Sequence, residues 1–298
     1  MAERFYLILE DRGLLSVSGD DRATFLQGLI SNDITKVAAD RAIYASLLTA
    51  QGRFLHDFFI TEQDGAYVID AEAARLDDLR RRLMLYRLRS RVTISPLDGL
   101  VVAATFGDGA LDALGLGEEP GRAAPAAGGL AYVDPRLTGL GARLILPRER
   151  LEALAAAGFQ AGERTAYDRL RLSLGVPDGS SDLPVEKALL LENGFDELNG
   201  VDWKKGCYVG QEVTARMKYR ALVRKRLLPV RIEGPPPEPG TPVVLDGEEA
   251  GEMRSAAAGW GLALLRLEIV EKAEREGRPL SAGIASVTPL RPPWWAAA

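Results

Sequence analysis

The stretch AIYASLLTAQGRFLHDFFIT, residues 42–61, constrains the fold most strongly. Two largely apolar runs flank Gln51-Gly52, a turn-like pair, which predicts a β-hairpin. Further strand patterns occur within the first hundred residues: RFYLILE, LLSVSG, AYVID and RVTIS. Helical spacing of apolar residues predicts one helix around residues 25–30 and another from about Ala71 to Tyr86. Hairpinned strands with interspersed helices predict an α+β region with a largely antiparallel sheet.

The composition is that of a soluble globular protein. The chain has 298 residues, of which 47% are hydrophobic and 27% charged, enough for one large domain or two to three smaller ones. The single cysteine, Cys207, excludes an intramolecular disulfide, and with the single histidine, His56, it excludes a His/Cys metal cluster. The net charge of −5 disfavours a general nucleic-acid binder.

The N-terminal sequence MAERFYLILED is typical of neither a signal peptide nor a transit peptide. No apolar run in the chain is long enough to cross a bilayer. These patterns predict a cytoplasmic protein with no membrane partner.

The last part of the chain, from about Leu222, has the pattern of a small β-barrel or sandwich. The segments RLLPVRIEG, TPVVLDG, EEAGEMRSAA, GLALLRLEIV and SAGIASVTPL are each predicted to contain short strands. Helices are predicted over about 148–157 and 163–174. The Gly/Ala/Pro-rich stretch 107–141 is predicted to form loops around a short strand.

Cys207 lies in KKGCYVGQEVTAR, residues 204–216. A lone free cysteine is most often a small buried hydrophobe. Here two glycines allow a tight turn, two lysines precede the thiol, and a helix is predicted from near Gly210, so a reactive thiolate is an equal alternative. A Cys-His hydrolytic pair has only His56 as its base and is disfavoured.

The segment RMKYRALVRKR, 216–226, contains six basic residues. Most of these side chains are expected to be solvated, but the segment also suits a cradle for an anionic ligand, with arginine binding carboxylates in a bidentate manner. A nucleic-acid patch is the weakest of the three interpretations because clustered aromatic residues are missing.

KGCYVGQE followed by ARMKYR resembles the signature of the YgfZ-type folate-binding proteins. These are relatives of the glycine-cleavage T-protein that are implicated in maturing or repairing iron–sulfur enzymes. FLQGLISNDIT, LLTAQGRFLHDFFIT, LLLENGFDELNGVDWKKGC and EEAGEMRSAA are similar to other parts of that family. The resemblance implies a T-protein-like folate-binding fold: two α+β subdomains in residues 1–221 and a C-terminal β-barrel domain in 222–298.

The resemblance also implies tetrahydrofolate or a derivative as cofactor, and a set of folate-binding residues: Glu192, Lys205, Tyr208, Arg216, Arg220 and Asp57. Glu192 would accept the neighbouring N–H and amine of the pterin as a bidentate pair. Arg220, with Arg216 near it, would face the glutamate carboxylates of folate, and Tyr208 would form an aromatic wall.

Two departures from the T-protein separate the possible chemistries. The pair His56-Asp57 stands where aminomethyl-transferring relatives have two acidic residues. Those relatives also lack the KGCYVGQE motif that contains Cys207. We therefore predict a tetrahydrofolate-binding accessory protein that supports assembly or repair of iron–sulfur enzymes, with Cys207 as candidate functional thiol. Its partners would be iron–sulfur enzymes or cluster-assembly proteins. The alternatives are a folate-dependent one-carbon transferase and a scaffold that has lost its ligand; whether the protein catalyses a reaction stays open.

Overall fold

The computed structural model describes residues 3–295, in which there are seventeen strands and eight α-helices. The strands are β1 (Arg4–Ile8), β2 (Arg12–Ser18), β3 (Ile43–Leu48), β4 (Phe54–Gln63), β5 (Ala66–Glu72), β6 (Thr93–Pro96), β7 (Leu100–Gly107), β8 (Ala123–Ala126), β9 (Gly129–Val133), β10 (Ala142–Pro147), β11 (Gln160–Ala161), β12 (Lys225–Glu233), β13 (Pro242–Leu245), β14 (Glu248–Ala257), β15 (Trp260–Arg266), β16 (Leu280–Ala282) and β17 (Ala285–Pro289). The helices are α1 (Arg22–Gln27), α2 (Leu76–Tyr86), α3 (Ala110–Ala113), α4 (Glu152–Ala156), α5 (Arg164–Ser173), α6 (Gly179–Asp182), α7 (Gln211–Tyr219) and α8 (Leu267–Glu276).

The chain forms two compact units. The first takes in the chain up to Leu48, Leu55–Glu163 and Leu198–Val209. The second takes in Thr49–Phe54, Arg164–Glu197 and the chain from Gly210 onward. The predicted domain boundary at residues 221/222 stays a prediction, since these units follow a different division of the chain.

A five-stranded sheet in the order β3-β4-β5-β2-β6 forms one part of the first unit. The registers of β5 with β2 and β4, and of β6 with β2, are antiparallel, as the sequence predicts. Strand β4 is buried over its first eight residues. Its apolar residues follow one another without strict alternation because both faces of the strand are covered.

The other sheet of the first unit has six strands in the order β11-β1-β7-β10-β9-β8. The stretch 107–141 contributes two of these strands, β8 and β9, so the expectation of loops around one short strand was wrong. Ala131, Tyr132 and Val133 of β9 are fully buried. The small Ala and Gly residues around them carry little hydrophobic periodicity, which is why the pattern was missed.

Asp70 connects the two sheets of the first unit. This fully buried carboxylate on β5 accepts hydrogen bonds from Arg12 Nε at 2.7 Å and from Arg143 Nη2 of β10 at 2.6 Å. The hydroxyl of Tyr132 on β9 lies 3.3 Å from the same carboxylate. The Arg143 guanidinium also lies 4.1 Å from the centroid of the Phe59 ring. Buried charges of this kind are tolerated when each is paired and hydrogen-bonded.

The second unit contains a closed six-stranded barrel in the order β12-β15-β14-β13-β16-β17. Its interior is apolar, with Val230, Val243, Met253 and Val287 fully buried. The predicted fold class, an α+β region followed by a C-terminal β-barrel, is confirmed.

Helix α8 was not predicted. The segment GLALLRLEIV reads as one strand, but β15 ends at Arg266 and LEIV begins the helix. Ile269, Val270 and Ala273 form its buried face. This spacing, with Gly277 in the left-handed conformation after the helix, is a signal that sequence reasoning could have used.

Among residues 3–295, no helix has both the length and the apolar character needed to cross a membrane.

Candidate functional site

The cysteine motif begins as a loop of the first unit that is held at the end of α1. Lys205 Nζ donates a hydrogen bond to the carbonyl oxygen of Gln27 at 2.5 Å. In return, Gln27 Nε2 donates to the carbonyl oxygen of Lys205 at 3.1 Å. The amide of Val209 donates to the carbonyl oxygen of Gly28, also at 3.1 Å. Both ends of the loop are therefore fixed by the C-terminus of one short helix.

Lys205 is an ammonium taken largely out of water. Lys205 is 8% exposed, and its Nζ lies 4.8 Å from the centroid of the Tyr208 ring. Burial lowers the pKa of Lys205 to about 8, while the charges of Asp33, Asp202 and Cys207 act to raise it. A cation is thus held next to the thiol by the fold itself, and it loses its proton within reach of physiological pH.

Cys207 itself is exposed. The backbone of the preceding Gly206 has φ +91°, a conformation that favours glycine and turns the chain just before the thiol. This exposure rules out the small buried hydrophobe as the role of Cys207. In the described part of the chain, no three His, Cys, Asp or Glu side chains cluster so as to hold a metal ion. A cluster bound by protein thiolates needs several ligands, and Cys207 is the single cysteine of the sequence.

Asp57 and His56 lie next to each other on β4 but have different partners. Asp57 is buried and accepts a hydrogen bond from the hydroxyl of Tyr44 at 2.8 Å. His56 is also buried, and its Nε2 lies 3.0 Å from Oδ2 of Asp78 on α2. Burial lowers the pKa of His56 to about 4, with the positive charge of Arg75 adding to the effect. His56 is therefore neutral at pH 7 and is held in a structural contact.

The first unit also has a partly open cavity of about 310 Å³. Asn32, Tyr44 and Asn199 are among its lining residues. Charges at its edge are neutralised, since Arg41 pairs with Glu119. None of the predicted folate-binding residues lines this cavity.

Glu192, in the second unit, is a half-buried carboxylate in a 3₁₀ turn, Leu190–Asn193. Burial raises the pKa of the Glu192 carboxyl, and the charges of Lys225, Arg53 and Arg254 oppose that rise. Within residues 3–295 its side chain has no hydrogen bond and no ion pair at contact distance. Removing part of the hydration of a carboxylate without supplying a hydrogen-bond donor costs free energy. Two N–H groups of a ligand would offset that cost by donating to its oxygens.

Helix α7, also in the second unit, packs against the turn that carries Glu192. Arg216 on this helix and Arg220 at its C-terminal cap are both exposed and, being four residues apart, lie on the same face. Neither guanidinium has an ion pair in the part of the chain that the structure describes. Lys218 differs, because it pairs with Asp196.

The structure thus places the predicted residues in two groups, each within one unit. Lys205, Cys207 and Tyr208 are together in the motif loop of the first unit, while Asp57 lies apart from them on β4. Glu192, Arg216 and Arg220 belong to neighbouring elements of the second unit. The folate-binding roles of all these residues stay predictions.

Two contributing residues were missed by sequence reasoning. Gln27 holds Lys205, and Tyr44 holds Asp57. Gln27 falls within FLQGLISNDIT, a segment that resembles the family, where a polar residue at the end of an apolar helix pattern was the available signal. Tyr44 is the one aromatic residue of its strand pattern, and the hydroxyl of a buried tyrosine usually has a hydrogen-bond partner.

Comparison with known proteins identifies the family. Residues 224–297 match the family model of the CAF17 C-terminal β-barrel domain. The chain is 34% identical to the mitochondrial iron–sulfur cluster assembly factor IBA57 of Mus musculus, over 96% of this chain and 84% of the relative. It is 35% identical to the IBA57 of Homo sapiens, with the same coverage of both chains. This chain belongs to the IBA57/CAF17 family of iron–sulfur cluster assembly factors.

The IBA57 family assignment confirms the YgfZ-type resemblance predicted from the motif. The fold is that of the T-protein: the aminomethyltransferase T of the glycine cleavage system from Bartonella henselae superimposes with a TM-score of 0.75. That alignment covers 99% of this chain and 87% of the other, at 15% sequence identity. At such low identity the likeness establishes the fold that this IBA57 family member shares, and nothing about its activity.

Proposed function

We propose that this IBA57-family chain is a tetrahydrofolate-binding accessory protein that supports assembly or repair of iron–sulfur enzymes through the thiol of Cys207. The family supplies the general role, iron–sulfur cluster assembly. The folate and the thiol are the specific parts of the proposal, and each has its own support in the geometry of the candidate site.

Glu192 carries the folate part of the proposal. Its carboxylate is half-buried and has no donor among residues 3–295, although burial already disfavours its charge. A pterin presents a ring N–H and an exocyclic amine side by side, so both carboxylate oxygens would gain a donor at once. The residues present therefore fit a bound pterin.

The arginines of α7 fit the other end of a folate. Arg216 and Arg220 present two guanidiniums on one exposed helix face, next to the turn that carries Glu192. Guanidinium groups bind carboxylates in a bidentate manner, and folate ends in glutamate carboxylates. When bound, the cofactor would supply one-carbon or redox chemistry; the protein residues named here would bind and orient it.

The thiol part of the proposal depends on Cys207 and Lys205. The exposed Cys207 is accessible to a partner protein or to a cluster that is being transferred. Lys205 lies two residues before it, with its ammonium group largely buried and 4.8 Å from the centroid of the Tyr208 ring. A single thiolate offers one ligand, so the remaining ligands of a cluster in transfer would come from the partner.

Calorimetric titration of the purified protein with tetrahydrofolate tests the folate part. We expect micromolar binding, about 8 kcal/mol. Glu192→Gln keeps the shape but replaces an acceptor with a donor, and Arg216→Ala with Arg220→Ala removes both guanidiniums. Both changes should weaken binding at least about tenfold. The exposed Glu149→Gln is the matched control and should bind as the wild type does. Absence of binding by the wild type would contradict the folate part and favour a scaffold that has lost its ligand.

Activity of iron–sulfur enzymes in cells tests the thiol part. Cys207→Ser replaces one atom at an exposed position, so the thermal unfolding of the protein should stay unchanged while the enzymes lose activity. Cells with Cys207→Ser and normal enzyme activity would contradict a thiol role but leave the folate part intact.

Folate-dependent transfer of a methyl or aminomethyl group is the second candidate function. The buried carboxylate of Asp57, hydrogen-bonded by Tyr44, is the observation in its favour, because such a group could orient a folate nitrogen. The neighbouring position holds a neutral His56 in contact with Asp78, so the second acid is missing. An assay for folate-dependent one-carbon transfer distinguishes the two functions.

A further inference from the structure

Helix α2 ends in an exposed apolar patch. Met84, Leu85, Tyr86 and Leu88, which we call the apolar tip, are 37%, 72%, 42% and 86% exposed. Eight large apolar side chains are exposed among the described residues, and these four fall within five consecutive positions. Single exposed apolar residues need no explanation, whereas a contiguous group marks an interaction surface.

The backbone at Leu88 provides an independent observation. Leu88 has φ +43°, in the left-handed region that a branched side chain adopts only at a cost in conformational energy. The turn is held by a hydrogen bond from the Ser90 amide to the Arg87 carbonyl oxygen at 2.7 Å. Leu88 is 86% exposed, so the strained conformation does not bury its side chain among residues 3–295. Strain that the fold does not use is typical of functional sites.

The charges around the apolar tip are positive and partly unneutralised. Arg91 is paired with both Asp20 and Asp21. In contrast, Arg87 and Arg89 are exposed, and in residues 3–295 their side chains have no ion pair and no hydrogen bond. An occupant of this surface therefore needs carboxylates as well as an apolar side chain.

The surface beside the apolar tip has a shallow depression. A shallow depression of about 690 Å³, open to solvent, is lined by Asp21, Leu88, Arg89 and Ser90. A bulky side chain of a protein partner can lie in such a depression. The net charge of −5 opposes adsorption of the whole chain to an anionic membrane.

We propose that the apolar tip is the docking surface for an acidic segment of a partner protein. A large apolar side chain of that segment would fill the depression beside Leu88, and flanking carboxylates would pair with Arg87 and Arg89. The inference does not depend on folate or on Cys207, because it uses none of the residues of the candidate functional site.

Site-specific photo-cross-linking in the full chain tests the proposal. A benzoylphenylalanine at Leu85 in the native cells should cross-link to one partner, whose attached segment is identified by mass spectrometry. The control places the same group at Ile284, which is 88% exposed but lies outside the apolar tip. We expect a Leu85-specific product whose segment combines Asp or Glu with a large apolar residue.

The identified segment is then synthesised and its affinity measured by fluorescence anisotropy. Arg87→Glu with Arg89→Glu should weaken binding at least about tenfold. Arg275→Glu, at another exposed arginine, should leave it unchanged. Leu88→Gly should also weaken binding and yet raise the unfolding temperature by about 2 °C, because glycine removes the strain at φ +43°.

Several outcomes would overturn the proposal. They are a Leu85 cross-linking pattern no different from that of Ile284, a cross-linked segment without acidic residues, and binding that is insensitive to the charge reversal. Cross-links to a second copy of the chain would make the surface a dimer interface instead. Co-sedimentation with vesicles of phosphatidylcholine and phosphatidylglycerol, abolished by Arg87→Glu with Arg89→Glu, would make it a membrane contact.

Discussion

Gly52 approaches Gly210 so closely that a Cβ on Gly52 would lie 2.8 Å from the Gly210 carbonyl oxygen. The same Cβ would lie 2.9 Å from Cβ of Val213, on the first turn of α7. The tip of the hairpin predicted from the sequence thus packs against the start of the helix that follows the cysteine motif. Only a residue without a side chain fits there.

Gly52→Ala should therefore destabilise the protein by roughly 2–4 kcal/mol, since the new methyl group meets backbone as well as a strained φ of +76°. Urea unfolding measures the effect. Gly65→Ala is the matched control, because Gly65 has nearly the same φ, +74°, but nothing within 4 Å of its added Cβ. Equal losses in the two variants would show that the close approach to Gly210 has no energetic consequence.

Asp70→Asn should cost about 3–5 kcal/mol of the free energy of unfolding, because it leaves Arg12 and Arg143 buried without their carboxylate. Thermal or urea unfolding gives the value. Asp246→Asn removes the partner of Arg278 in an exposed pair and should change stability little. A small effect for Asp70→Asn would mean that the two sheets of the first unit do not depend on this carboxylate.

His56 should make the protein less stable in mild acid. Its pKa is lowered to about 4 in the folded state from 6.5, so between these pH values the unfolded chain binds more protons. The contribution of His56 to the free energy of unfolding is fully present above about pH 6.5. It decreases as the pH falls towards 4, by at most about 3 kcal/mol. The groups that face His56 are Asp78, Arg75 and Arg82.

Urea unfolding of the wild type and of His56→Gln, at pH 7 and at pH values down to 4, isolates the histidine from the carboxylates that titrate in the same range. The wild type should lose more stability than the variant on acidification. Parallel losses would contradict a neutral, buried His56.

Lys205 should titrate with a midpoint near pH 8, which NMR of lysine side chains detects directly. Lys205→Met should remove that resonance. Because the unfolded chain keeps this proton up to about 10.5, stability of the wild type relative to Lys205→Met should rise as pH is raised from about 8 towards that value. A resonance that titrates only near 10.5 would mean that Lys205 remains hydrated.

Patterns within short segments were the reliable part of the sequence prediction. Two largely apolar runs on either side of the turn at Gln51-Gly52 predicted the β3–β4 hairpin, and short apolar runs between turn residues predicted most of the barrel strands. The errors came where local signals were ambiguous: LEIV fits a strand or a helix, and the small residues of 107–141 hide strands β8 and β9. In both cases burial against other segments decides the outcome.

For the candidate site, too, the local sequence predicted some features and only the folded structure decided the others. The motif KGCYVGQE predicted the family and named Cys207, but the degree of exposure of each side chain was not predictable from it. The buried ammonium of Lys205 donates a hydrogen bond to the carbonyl oxygen of Gln27, 178 residues earlier in the chain. Such long-range contacts decide which charged side chains remain hydrated in the folded protein.

The sequence by itself determined the family, the α+β region with its barrel, and the identity of the one thiol, since these depend on residue order and local pattern. The tertiary structure alone decided that Cys207 is exposed, that Lys205 loses its hydration, and that Glu192 is half-buried with no donor among the described residues. The physical reason is that pKa and ligand affinity follow from desolvation and from partners contributed by distant segments. Those terms arise only when the chain is folded.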